Sequence, residues 1–121
     1  MTVTTLASRL GCLLLLAAPA VAAPLAPPAA EQFVAACTSH LALDQEQRAV
    51  LLDYLEQEAN FMAVQRANHT EAEVAELLPS QREELQRVAG RIMSPTQLRR
   101  FRELEATPKM RDFLRQMDLE K

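Results

Sequence analysis

Leu43-Asp44-Gln45-Glu46-Gln47-Arg48-Ala49-Val50-Leu51-Leu52-Asp53-Tyr54-Leu55-Glu56-Gln57-Glu58-Ala59-Asn60-Phe61-Met62 decides the fold class. Asp44 is a helix cap, and Gln47 three places on completes a capping box. Leu51, Leu55 and Met62 then recur at helical spacing, and Tyr54 and Phe61 widen the stripe. The pattern predicts a helix from Asp44 to about Ala67, roughly 36 Å long at 1.5 Å per residue. Asn68 and His69 end it.

The same grammar continues on both sides. Thr70 and Glu73 form a second box. Val74, Leu77, Leu78, Leu85, Val88 and Ile92 keep one phase across Pro79, which predicts a single helix kinked at the proline rather than two helices. Ser94-Pro95-Thr96-Gln97 opens another helix, with proline at the first position and glutamine at the third. Leu98, Phe101 and Leu104 are its apolar face. Thr107-Pro108 restarts the chain for a last helix carrying Met110, Phe113, Leu114 and Met117. Upstream, Ala29 to His40 reads as a helix with Phe33, Val34 and Cys37 on one side. No alternating strand pattern occurs, and Gly11 and Gly90 are the chain's only glycines. The expectation is all-α: a small helical hairpin or bundle of four to five helices, with residues 29–121 as a single domain.

The first residues differ sharply from the rest. Arg9 is the only charge before Glu31, an apolar run extends from Leu10 to Ala18, and Ala20-Val21-Ala22 supplies an A-x-A site. These are the parts of a secretory signal peptide. It is expected to span 1–22 and to be cleaved after Ala22, leaving about 99 residues in the periplasm or outside the cell. The run is too short for the roughly 20 residues of a membrane span, and Pro19 interrupts it. Leu10-Gly11-Cys12 looks like part of a lipobox, but Leu13 to Leu16 follow the cysteine, which argues against lipidation. Residues 23–28 read as an extended, proline-rich leader.

Charge and cysteine content exclude some functions. Glu31 to Glu76 holds nine acidic and two basic residues, whereas Arg82 to Arg115 holds nine basic and five acidic. The halves attract one another, and the net charge of −3 argues against nucleic acid as a partner. Cys37 is alone after the signal peptide, so no internal disulfide is available. Buried apolar packing, an intermolecular bridge and metal ligation remain open for it. The metal reading would use Cys37, His40 and His69, and it needs further ligands. No catalytic constellation emerges, so the expectation is a non-enzymatic chain without cofactor. Arg99, Arg100 and Arg102 read as a solvated helix face, as do Glu56, Glu58, Glu71, Glu73 and Glu76. Asn68-His69-Thr70 fits a glycosylation sequon, though Asn68 also serves as a helix terminator.

One unit recurs. Leu43 to Gln47 reads apolar, cap, two variable positions, glutamine, and so does Met93 to Gln97. Leu77-Leu78-Pro79-Ser80-Gln81 is a degenerate third copy. An apolar residue follows eight places after the first in each: Leu51, Phe101 and Leu85. The unit resembles the LTxxQ motif of the Spy and CpxP family of small periplasmic helical proteins, although neither good copy reads Leu-Thr. The resemblance implies a helical hairpin that dimerises into a cradle and holds unfolded proteins. Met93 to Leu98, Phe101, Thr107-Pro108 and Phe113-Leu114 also resemble the DUF2059 family of exported helical proteins, with Leu104-Glu105 in place of that family's usual aromatic pair. The functional expectation is protein binding in the cell envelope, chaperone- or adaptor-like, by a homodimer that takes protein clients or one protein partner. Its surface would comprise Leu51, Tyr54, Leu55, Phe61, Met62, Leu85, Val88 and Phe101. A metal-responsive envelope protein and a dedicated inhibitor or immunity-type partner of one enzyme are the alternatives.

Overall fold

The computed structural model describes residues 28–121. The expected signal peptide and residues 23–27 of the leader lie outside them. Five helices follow in order: α1 Pro28–Leu41, α2 Gln45–Asn68, α3 Glu71–Ile92, α4 Pro95–Glu105 and α5 Pro108–Gln116. No strand occurs among the described residues. The chain is an all-α bundle.

Pro28 belongs to α1 rather than to an extended leader. Proline's fixed φ suits a helix wherever its missing N–H is not needed. Pro79 sits inside α3, which runs through it without interruption. The proline gives up one backbone bond, to the carbonyl of Ala75, and the shared phase of Val74 and Leu85 on either side keeps both halves of the helix on one core.

α2 and α3 form an antiparallel hairpin joined by His69 and Thr70, and α1 packs against α2, α4 and α5. α1 is the central element because its apolar side is unbroken: Ala29, Ala30, Phe33, Val34, Cys37 and Leu41 are all buried. Phe33 meets Phe101 of α4 edge to face, with ring centroids 6.2 Å apart and planes at 73°, a geometry aromatic quadrupoles favour. Met110, Phe113 and Leu114 of α5 close the core from the other side.

Two turns rest on left-handed residues that are not glycine. Ala42 has φ 57° and Asp118 has φ 61°. After α1, the N–H of Leu43 reaches the carbonyl of Thr38. After α5, Leu119 donates to Leu114 and Asp118 to Arg115. Both ends therefore wrap as Schellman-type caps, which need one left-handed residue each.

Candidate functional site

The repeated start signals are brought together in space. Asp44, Thr70 and Ser94 each cap a helix through a reciprocal box with Gln47, Glu73 and Gln97. The Asp44 and Ser94 boxes also face each other. Gln47 Oε1 accepts from the Asp44 N–H at 2.9 Å. That orients its amide nitrogen across the bundle, where it donates to the Ile92 carbonyl at 2.7 Å and to Gln97 Oε1 at 2.8 Å. Gln97 mirrors this. Its Oε1 accepts from the Ser94 N–H at 2.9 Å, and its Nε2 donates to the Leu41 carbonyl at 3.2 Å. Each glutamine thus caps the start of its own helix and satisfies a carbonyl at the end of another. Carbonyls at helix ends lack helical partners, so the exchange removes two such deficits. Leu43 and Met93, the apolar residues before the caps, are buried beneath it.

The clasp explains the residue type. A capping box accepts Glu or Gln equally. Only Gln can also donate, and the two boxes that face each other both carry it. The isolated Thr70 box has Glu73, which only accepts, and the Thr70 backbone bond holds that carboxyl below its ordinary range. The degenerate third copy is no helix start. Leu77 to Gln81 lies within α3, and Gln81 Oε1 is buried without a partner.

The expected binding surface does not form. Leu51, Leu55, Met62, Leu85, Val88 and Phe101 are buried. They are core because α1 and α4 cover the stripe that the hairpin alone would leave open. Tyr54 is half-buried, and only Phe61 is open, at 43 % exposure. Phe61 belongs to a second apolar row on the outside of α2, with Val50 at 42 % and Val64 at 54 % exposure. Val50, Tyr54, Gln57, Phe61 and Val64 alternate in steps of four and three, the spacing of a coiled-coil seam. α2 is therefore apolar on two sides. Val50 and Val64 were legible through that spacing, but a search for one stripe stops at Leu51, Leu55 and Met62. Beside Val50, a cavity of about 310 Å³ opens between Glu46, Arg91 and Ile92.

At the hairpin seam, Glu58 and Glu84 bring like charge beside the Tyr54 phenol. Burial, then Glu84, raises the Glu58 carboxyl, and its Oε2 is buried without a partner. Burial, then Glu58 and Glu84, raises the Tyr54 phenol, against Arg87 and Arg91. Arg87 holds Glu84 at 2.5 Å.

Cys37, His40 and His69 do not meet. Cys37 is fully buried, and burial followed by the charge of Glu105 pushes its thiol up to about 12. His40 is exposed and within 3.0 Å of the Ala36 carbonyl. His69 lies at the far end of α2, 3.5 Å from Glu73. No group of three potential metal ligands occurs among the described residues. Arg99, Arg100 and Arg102 are exposed.

Sequence reasoning missed Glu105. It is the only buried charged residue described, held by Arg82 at 2.9 Å and Gln86 at 2.7 Å. Arg82 continues to Glu120, which also bonds Arg111. The chain matches no protein-family model, no curated protein and no solved structure. No described helix is long and apolar enough to cross a membrane.

Proposed function

We propose that the protein is an exported, non-enzymatic binder of other proteins in the cell envelope, chaperone- or adaptor-like, and that the outer row of α2 is its contact surface. The observation that supports this is the solvent exposure of Val50, Phe61 and Val64 on one stripe of one helix. Scattered apolar side chains are ordinary, whereas an aligned row costs solubility unless something covers it. Nearly half of each side chain remains to be buried. At about 1.5–3 kcal/mol for complete burial, the row offers roughly 2–4 kcal/mol to a partner.

Its size indicates the kind of contact. Val50 to Val64 spans about 20 Å of helix, one helix wide, or a few hundred Å². Stable interfaces bury about 800 Å² per partner. A small row suits weak, exchangeable holding better than a permanent complex with one enzyme. Homodimerisation, row against row, belongs to the same reading and draws on the same spacing. The metal-responsive alternative finds no support in the separated positions of Cys37, His40 and His69.

The test is suppression of aggregation for two unrelated heat-unfolded proteins, with sedimentation measured in parallel. The chain should protect both. A variant with Val50→Gln, Phe61→Gln and Val64→Gln should lose protection and any self-association while keeping its helical circular dichroism, because glutamine is a good helix former. Protection of neither client, or full protection by the triple variant, would reject the proposal.

A further inference from the structure

A different surface, distinct from the α2 row, already holds a peptide: the chain's own. After α5 the backbone turns at Asp118 and runs across α3. Leu119 is buried, and Glu120 is surrounded by arginines. Arg82 Nη1 donates to Glu120 Oε1 at 2.8 Å, Arg111 Nε to Oε2 at 2.6 Å, and Arg115 Nη1 lies 3.7 Å from Oε2. Asp118 adds an ion pair to Arg66 of α2 at 3.0 Å. Beside the segment lies a cavity of about 380 Å³ with Ala75, Leu78 and Pro79 on its apolar side and Arg82 and Arg111 on its charged side.

The recognition is one of chemistry rather than of shape alone. An apolar side chain enters the floor, and the next residue presents a carboxylate to a fork of guanidinium groups, the pairing arginine makes best. Arg82, Arg111 and Arg115 converge on Glu120, while Arg82 also serves Glu105 and Arg115 also pairs with Asp112. Arg82 Nε is buried with no acceptor, so the cleft has a donor that its present occupant does not use. Pro79 has no N–H to offer the Ala75 carbonyl at the floor. The arginines are exposed by 35 %, 54 % and 44 %, whereas the carboxylate between them is 9 % exposed. The cleft is thus reachable from solvent once the segment lifts.

We infer that the cleft between Arg82, Arg111 and the Pro79 region of α3 is a binding site for an acidic peptide segment in which an apolar residue precedes a carboxylate, and that Leu119–Glu120 occupies it as an internal competitor. A tethered occupant acts at an effective concentration on the order of millimolar. The site is therefore closed to weak ligands until the segment is released. The inference is independent of the α2 row, and its test does not read chaperone activity.

The test uses the full chain and a fluorescent peptide with the sequence of residues 113–121, followed by anisotropy at low and high salt. Glu120→Gln in the chain should raise affinity for the peptide at least tenfold over the unaltered chain. Arg111→Gln added to Glu120→Gln should remove that gain, as should a peptide with glutamine in place of its glutamate. Raising the salt should weaken binding. A helical Glu120→Gln chain that binds no better than the unaltered one, or that binds both peptides alike, overturns the inference. Should Glu120→Gln unfold, peptide is titrated into the unaltered chain to well above the roughly millimolar effective concentration of the tethered segment, and the arginine side-chain resonances are followed by NMR. Saturable shifts at Arg82 and Arg111 support the site, and their absence rejects it.

Discussion

Gln47→Glu tests the clasp with a change of one atom. Glutamate keeps the acceptor that caps α2 but removes the donor to the Ile92 carbonyl and to Gln97 Oε1, at 2.7 and 2.8 Å. Two effects oppose each other. A carboxylate in the first turn of α2 gains about 0.3–1 kcal/mol from the helix dipole. Against it, acceptors that lose their donor and face a negative oxygen cost roughly 1–3 kcal/mol each in a buried setting. Gln47 is half-buried, so the lower end applies, about 2 kcal/mol in total. The net loss is about 1–2 kcal/mol, which for a domain of this size lowers Tm by roughly 5–12 °C. Urea unfolding followed by circular dichroism reads the loss directly. Acidification should shrink the deficit relative to the unaltered chain at the same pH, because a protonated carboxyl donates again. Glu73→Gln is the control: its box makes no bond across the bundle, so the change should cost clearly less than Gln47→Glu. Gln47→Glu as stable as the unaltered chain would mean that the cross-bundle bonds contribute nothing. A Gln47→Ala and Gln97→Ala cycle with coupling under about 0.3 kcal/mol would say the same.

Ala42→Gly should stabilise by about 0.5–1 kcal/mol, since φ 57° strains any residue with a Cβ, and a thermal melt shows it. Gly90→Ala should also stabilise, by up to about 1 kcal/mol, because a Cβ there meets nothing closer than Leu98 at 4.0 Å. A lower Tm for either refutes the local account. Cys37, with its thiol near 12 and its side chain fully buried, should resist thiol reagents at pH 8 in the native chain and react promptly in urea. Fast native labelling would contradict the buried placement of α1. Glu58 has its carboxyl raised in the fold, so its ionisation works against folding as the pH rises. Glu58→Gln should therefore raise stability at neutral pH, and the gain should vanish as pH falls below the ordinary carboxylate value of 4.5.

Helix starts were legible because capping is local: Asp44, Thr70 and Ser94 act within four residues of themselves. The continuity of α3 through Pro79 was legible because the phase of Val74 and Leu85 survives it. What local rules could not carry was mutual placement. Gln47 and Gln97 lie fifty residues apart, and nothing within either box says that it faces the other. The apolar stripe of α2 was legible as a stripe, yet its burial depended on α1 and α3 packing over it. Glu105 looks like any exposed helical carboxylate until Arg82 and Gln86 enclose it. Val50 and Val64 went unread because one helix was credited with one greasy side.

The clasp ties two of the bundle's turns to each other. A residue spliced between Leu41 and Asp44 would shift not one helix but two, since Gln97 reads the carbonyl there and Gln47 answers for Ile92. The same holds between Ile92 and Ser94. The bend at Asn68, His69 and Thr70 is solvent-facing and outside that exchange. A reporter, tether or loop graft inserted there has a neutral place to sit, while equal-length grafts at the other two bends would unlock the molecule.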